Sequence, residues 1–332
     1  RLRVSDLLMP WLGAPLARRA FLLRRSWVSL VGLLFGLAAT LFFSRGSPGV
    51  IMARPSLRAV VTDVDGTLMN SHHELPEANR QALRRLIQSG VPVVLATGKH
   101  RGPWVEALLR AVCDDEVRAA SPWTLNAPGV FVQGQLVCDL EGAVVHRKVL
   151  AAQVVEMCFE EAKRRAWSVL AYTTDDRVIA SRPHPRTVDI EKLGEPFVAG
   201  ELGDASVFKM IFLADPKDET EVRDAVRGFV GAEATVVVSI PGMVEVLPRG
   251  SSKADGVEIA LKMLGLSAGE VLALGDGEND IEMLQAVRAA GGAAVAVGNA
   301  RPALKEVAES VVSSNDEGGW AEAVERWGLL GQ

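Results

Sequence analysis

A chain of 332 residues, 48% hydrophobic and 23% charged, is long enough for two domains and a sizeable core, which excludes a disordered or fibrous protein. The net charge of −5 hides an asymmetry: residues 1–58 hold nine arginines and one acid, Asp6, so the remainder is strongly acidic and ill suited to a nucleic-acid partner. Cys113, Cys138 and Cys158 lack any Cys-x-x-Cys spacing, which argues against a disulfide framework or zinc site and suits a reducing compartment.

Residues 1–56 read as a leader and linker. Arg18-Arg19 and Arg24-Arg25 precede Ser26–Ser44, 19 residues without a charge, and Arg45 closes the run. A bilayer crossing takes ~20 apolar residues, so a transmembrane anchor is one expectation, with membrane contact confined to residues 26–44 if they are retained. An arginine-rich, acid-poor composition also fits a plastid (chloroplast) transit leader. Translation from Met52 would instead leave a soluble, cytosolic enzyme. Gly46 to Pro55 reads as linker.

From Leu57 onward, short apolar runs alternate with amphipathic segments. Ala59–Val61 is a strand, Glu74–Ser89 a helix stopped by Gly90, Val91–Ala96 a second strand and Trp104–Val112 a second helix. Residues 148–243 break the rhythm. Their β-like runs (Ser168–Tyr172, Val207–Leu213, Thr235–Ile240) and helix candidates (Val154–Arg165, Glu219–Phe229) suffice for an inserted α/β domain, leaving 57–147 and 244–332 as the two parts of the outer one. Val257–Leu264 is again helical, Val271–Leu274 a strand, a helix begins near Asp280, and Ala293–Val297 and Val311-Val312 are extended. Apolar strands between helices predict an α/β, doubly wound parallel sheet covered on both faces. Ligands in such sheets bind outside the carboxyl ends of the strands, so Asp63, Thr97, Asp276 and Asn299 are expected to converge on one crevice.

The polar residues at those ends share one chemistry. Asp63-Val64-Asp65-Gly66-Thr67-Leu68 sets two carboxylates side by side at a strand mouth, an arrangement that needs a divalent cation or a shared proton between them. Mg²⁺ takes one or two carboxylates plus substrate phosphate, and Asp63 and Asp276 are the natural pair, with the Asp65 carbonyl as a further ligand and Asp280 behind them fixing the loop. Lys253, the Thr97 hydroxyl, the Gly98 N–H and Asn279 would bind phosphoryl oxygens. Asp63 would attack phosphorus to form an aspartyl-phosphate, and Asp65 would serve as acid and then base. His72-His73 read as a polar loop and Glu278 as a solvated loop acid. Tyr172, Asp175, Asp176, Arg177 and His184 have the chemistry to face the crevice from the insertion, although ordinary surface is the simpler reading.

These segments carry a resemblance. Asp63-Val64-Asp65-Gly66-Thr67, Thr97-Gly98, Lys253 and Gly275-Asp276-Gly277-Glu278-Asn279-Asp280 resemble the four motifs of the haloacid dehalogenase (HAD) superfamily, and Gly275–Leu284 with Val297-Gly298-Asn299-Ala300 is similar to its Cof-type phosphatases. Pro128–Gly134 and Ser313–Glu317 resemble plastid-type plant and algal members. The resemblance implies a Rossmann-like core with an α/β cap and Mg²⁺-dependent hydrolysis of small phosphorylated metabolites, such as sugar phosphates, phosphorylated cofactors or nucleotides. It implies Asp63 as nucleophile, Asp65 as acid/base, Thr97 and Lys253 on phosphate and Asp276 on the metal. Two departures stand out: Thr97-Gly98-Lys99 where Thr-Gly-Arg is usual, and Gln133-Gly134-Gln135 where relatives have Asn-Gly-Ala. A phosphomutase with the same nucleophile, and a non-catalytic binding module on the same fold, are the alternatives.

Overall fold

The computed structural model describes residues 56–113 and 125–330, apart from 193, 196, 199–201 and 239. The leader, with the expectations placed on Ser26–Ser44 and Met52, lies outside them. No helix among the described residues is long and apolar enough to cross a membrane.

The strands in chain order are β1 (Ala59–Thr62), β2 (Val93–Leu95), β3 (Gly129–Phe131), β4 (Leu136–Cys138), β5 (Val144–Arg147), β6 (Ser168–Thr173), β7 (Val178–Ala180), β8 (Phe197–Val198), β9 (Val207–Leu213), β10 (Ala234–Val238), β11 (Met243–Pro248), β12 (Val271–Gly275), β13 (Ala293–Ala296) and β14 (Ser310–Val311). The first sheet runs β14-β13-β12-β1-β2, and every pairing in it is parallel. β1, β2, β12 and β13 are buried along their whole length, which is why they read as unbroken apolar runs. Register pairs Thr62 with both Leu95 and Leu274, so the residues that follow emerge side by side at one edge. The chain leaves β1 toward β2 and returns on the opposite flank at β12. This reversal of strand order makes the crevice beside β1 the switch point where ligands bind.

Helix starts follow local chemistry. The first helix spans Glu77–Gln88, three residues later than its periodicity suggested, because Pro76 stays extended at its cap. Helix Lys253–Met263 begins at the Ser252 capping box, in which Asp255 returns a carboxylate to the Ser252 N–H at 2.9 Å. That box fixes where Lys253 leaves the backbone.

The second sheet, β10-β11-β9-β6-β7-β8, is antiparallel except between β7 and β8. β11 is an interior strand of it, so the sheet runs on to Pro248, within the Gly242–Pro248 stretch where the insertion was expected to leave. Helices Ala152–Arg165 and Glu219–Val230 pack on one face against Val169, Ala171, Met210, Phe212, Val244 and Val246. Alternation then turns Tyr172, Lys209, Ile211, Met243 and Glu245 to the other face, toward the first sheet. A three-stranded antiparallel sheet, β3-β4-β5, was not anticipated from the sequence. All three sheets belong to one contact unit, Arg54–Gln332.

Candidate active site

Asp63 leaves the end of β1 with its N–H bonded to Leu274 O at 3.0 Å, and its residue is only 6% exposed. The Lys253 ammonium, fully buried, stands 2.6 Å from Asp63 Oδ1 and 2.7 Å from Asp280 Oδ1. Asp280 Oδ2 accepts the N–H groups of Asp276 (3.1 Å) and Gly277 (3.0 Å), so both of its oxygens are engaged in holding Lys253 and the loop. Thr67 donates to Asp276 Oδ1 at 3.2 Å, and Asn299 donates to Gly66 O at 2.8 Å. Gly66 sits at φ +76°, and a Cβ there would lie 2.5 Å from Asp276 Oδ2; only glycine lets the two loops approach so closely.

Carboxylate oxygens of Asp63, Asp276 and Asp280 lie within 4.8 Å of one another. Three acids around one ammonium leave an excess of negative charge in a buried space. Burial raises the Asp63 carboxyl well above its ordinary value, Lys253 opposes this, and the Asp280 and Asp276 charges add to the rise. Asp276 is pushed up to about 6, first by burial and then by Asp280. Hard oxygen ligands with two surplus negative charges fit Mg²⁺. Since Asp280 is already engaged, Asp63 and Asp276 are the oxygens left to hold it.

Asp65 faces the same cavity. Lys99 Nζ lies 2.8 Å from Asp65 Oδ1 and His73 Nδ1 lies 3.6 Å from it. Burial alone would raise the Asp65 carboxyl, but the His73 and Lys99 contacts outweigh it and hold it below its ordinary value. His73 lies in the exposed polar loop expected of it and reaches Asp65 from there. The Lys99 ammonium also sits 4.9 Å from the ring centre of Trp104, whose indole N–H donates to His100 O at 2.8 Å.

The Thr97 hydroxyl accepts the Lys99 N–H at 3.0 Å, and Thr97 is buried; Gly98 lines the cavity itself. Gln133, in the left-handed region at φ +59°, donates to Glu245 Oε2 at 3.2 Å and accepts from Asn279 Nδ2 at 3.0 Å. It thus ties the Asn279 loop to the second sheet. The cavity, about 90 Å³, is lined by Asp63, Asp65, Lys99, Asp276 and Asn279 on one side and by Tyr172, Glu195, Lys209 and Glu245 on the other.

Of the insertion residues singled out from the sequence, only Tyr172 lines this cavity. Asp175 and Arg177 pair with each other at 2.7 Å, Asp176 is largely exposed, and His184 accepts the Arg186 N–H in a local turn. Lys99, His73, Gln133, Glu195, Lys209 and Glu245 were not chosen from the sequence as site residues. The signal for Lys209 and Glu245 was available: each is a lone charge inside an otherwise apolar strand.

Known proteins resemble this chain in sequence and in fold. Residues 60–324 match the haloacid dehalogenase-like hydrolase family. A chloroplastic protein of Arabidopsis thaliana named endoribonuclease YBEY is 35% identical over 84% of the chain, which spans 48% of that relative's length. A putative phosphatase of Bacillus subtilis, YkrA, is 27% identical across 82% of this chain and 98% of its own. A haloacid dehalogenase-like hydrolase from Bacteroides thetaiotaomicron superposes with a TM-score of 0.69 at 26% identity, covering 82% of this chain and 99% of that one.

Proposed function

Because the chain belongs to the haloacid dehalogenase-like hydrolase family, of Cof type, we propose that it is a phosphatase that hydrolyses phosphate monoesters of small metabolites with Asp63 as nucleophile. The observation that carries this reading is the meeting of Asp63, Lys253 and Asp276 at one buried strand edge, with Asp65 facing the same cavity. In this reading the antiparallel sheet is a cap inserted into the parallel-sheet core and running on to Pro248.

Asp63 and Asp276, with the Asp65 main-chain carbonyl, would hold Mg²⁺; Asp280 stands behind them. When bound, Mg²⁺ supplies the positive charge that allows a dianionic phosphate to approach a carboxylate. A carboxylate oxygen of Asp63 forms a bond to phosphorus as the ester P–O bond breaks, and Asp65, which must first take up a proton from solvent because His73 and Lys99 favour its ionised form, gives that proton to the departing oxygen. Asp65, now ionised, takes a proton from water as the water oxygen attacks phosphorus and the Asp63–phosphorus bond breaks. Lys253, Thr97, Gly98 and Asn279 supply donors to the phosphoryl oxygens, the Thr97 oxygen at the same time accepting the Lys99 N–H.

The full chain should release inorganic phosphate, with Mg²⁺ present, from members of a panel of sugar phosphates, FMN, pyridoxal phosphate and nucleotides. Asp63→Asn should abolish release. Undiminished turnover in that variant would overturn the reading. We also place the protein in the plastid, on the arginine-rich, acid-poor leader and the chloroplastic relative. Imaging of a full-length fluorescent fusion tests this.

A further inference from the structure

We propose that Glu195 selects the substrate by its leaving group, favouring esters whose far end carries an ammonium or comparable cation. This rests on the phosphatase reading above and adds what lies beyond the phosphate.

The wall opposite Asp63 is built by one face of the antiparallel sheet and by the loop that holds Glu195. Two of its charges cancel: Lys209 and Glu245, each 2% exposed, pair at 3.1 Å, and the Lys209 ammonium also lies 4.4 Å from the Tyr172 ring centre. Glu195 differs. It is 8% exposed, lines the same cavity, and is held by neutral donors: the His100 N–H at 3.0 Å and the Tyr172 hydroxyl at 3.2 Å. Among the described residues no cation lies within ion-pair distance of it. The wall therefore carries one more carboxylate than it has ammonium groups. Burial lifts Glu195 to about 7, against the opposing fields of Lys209 and Lys99, as befits a carboxylate short of positive charge.

Two neutral donors fix the carboxylate in place and leave lone pairs directed at the cavity. A hydroxyl from substrate would use a lone pair and leave the charge uncompensated. A carboxylate or second phosphate would add repulsion. An ammonium does both tasks, donating hydrogen bonds and cancelling the charge. Ile190, Ile211 and Met243 complete the wall and suit a short carbon stem.

The test compares kcat/KM for phosphate release by the full chain from aminoalkyl, hydroxyalkyl and carboxyalkyl phosphates of two to four carbons, with p-nitrophenyl phosphate as a generic ester. The expected order is ammonium over hydroxyl by about tenfold or more, and hydroxyl over carboxylate. Glu195→Gln should bring the first ratio to within about twofold, while hydroxyalkyl esters change by less than about threefold; Glu195→Asp should restore part of the preference. Equal treatment of ammonium and hydroxyl esters by the wild type, or the wild-type preference surviving in Glu195→Gln, would overturn the assignment. Should the variants fail to fold, the wild-type ranking decides. Release from p-nitrophenyl phosphate without amine preference sinks the Glu195 assignment alone, whereas release from no ester sinks the phosphatase reading with it.

Discussion

Replacing Lys253 by methionine tests the electrostatics of the site most directly. The ammonium is fully buried and holds Asp63 and Asp280 at 2.6 and 2.7 Å. Burial alone would strip its proton, but the Asp280 and Asp63 charges outweigh burial and keep it charged. At an effective dielectric of about 20, each contact is a gross attraction of about 6 kcal/mol, which desolvation of the three ions largely offsets. Lys253→Met removes the attraction and leaves two carboxylates buried together, for a net loss of roughly 3–5 kcal/mol. In a chain of this size that lowers Tm by roughly 6–20 °C. Mg²⁺ restores part of the missing positive charge, so the loss should be larger in EDTA than in saturating Mg²⁺. Phosphate release should fall by about 10²–10³. Thermal unfolding of both proteins under the two conditions, with turnover in Mg²⁺, gives the three numbers. A variant as stable as wild type to within about 1 kcal/mol in EDTA would refute the charge accounting.

Three further outcomes follow from the same geometry. Asp276 binds its proton more tightly folded (about 6) than unfolded, so without metal it destabilises the fold increasingly as pH rises from about 4 through 6; the stability of Asp276→Asn relative to wild type in EDTA should grow by about 2 kcal/mol between pH 4 and 7, measured by urea unfolding, and a flat difference counts against it. Lys99→Met removes a group that holds the Asp65 carboxyl low, so the titration of the Asp65 carboxyl, followed by NMR, should move to higher pH; an unmoved titration separates Lys99 from that carboxylate. Gln133→Leu removes the acceptor of the partly buried Asn279 amide and one of the donors to Glu245, which keeps Lys209, and should cost about 1–3 kcal/mol by denaturant unfolding, with kcat reduced through the freed Asn279.

Much of the core was legible because its physics is local. β1 and β12 are short apolar runs ending in acids, and a parallel pairing that aligns Thr62 with Leu274 brings Asp63 beside Asp276. Lys253 was readable from a helix start, since Ser252 and Asp255 form a capping box in sequence. The wall facing Asp63 was less legible. Lys209 lies inside the β-like run Val207–Leu213, and its partner Glu245 lies 36 residues away on a strand whose pairing no local pattern announces. Glu195 sits in an irregular stretch, where periodicity carries no signal at all. His73 was hidden for a further reason: its contact with Asp65 depends on a left-handed backbone at φ +61°, a local bend that propensity does not reveal.

The stacking of Lys99 against Trp104 gives the protein an optical reporter of its own chemistry. Indole emission shifts with the field of a nearby charge, and here that charge is shared with Asp65, the carboxylate we propose as the acid and base. Any movement of the ammonium from Asp65 toward an arriving phosphate changes the light from Trp104. Subtracting the spectrum of a Trp104→Phe chain isolates that signal from the other tryptophans, so occupancy of the crevice can be followed in stopped flow without a label.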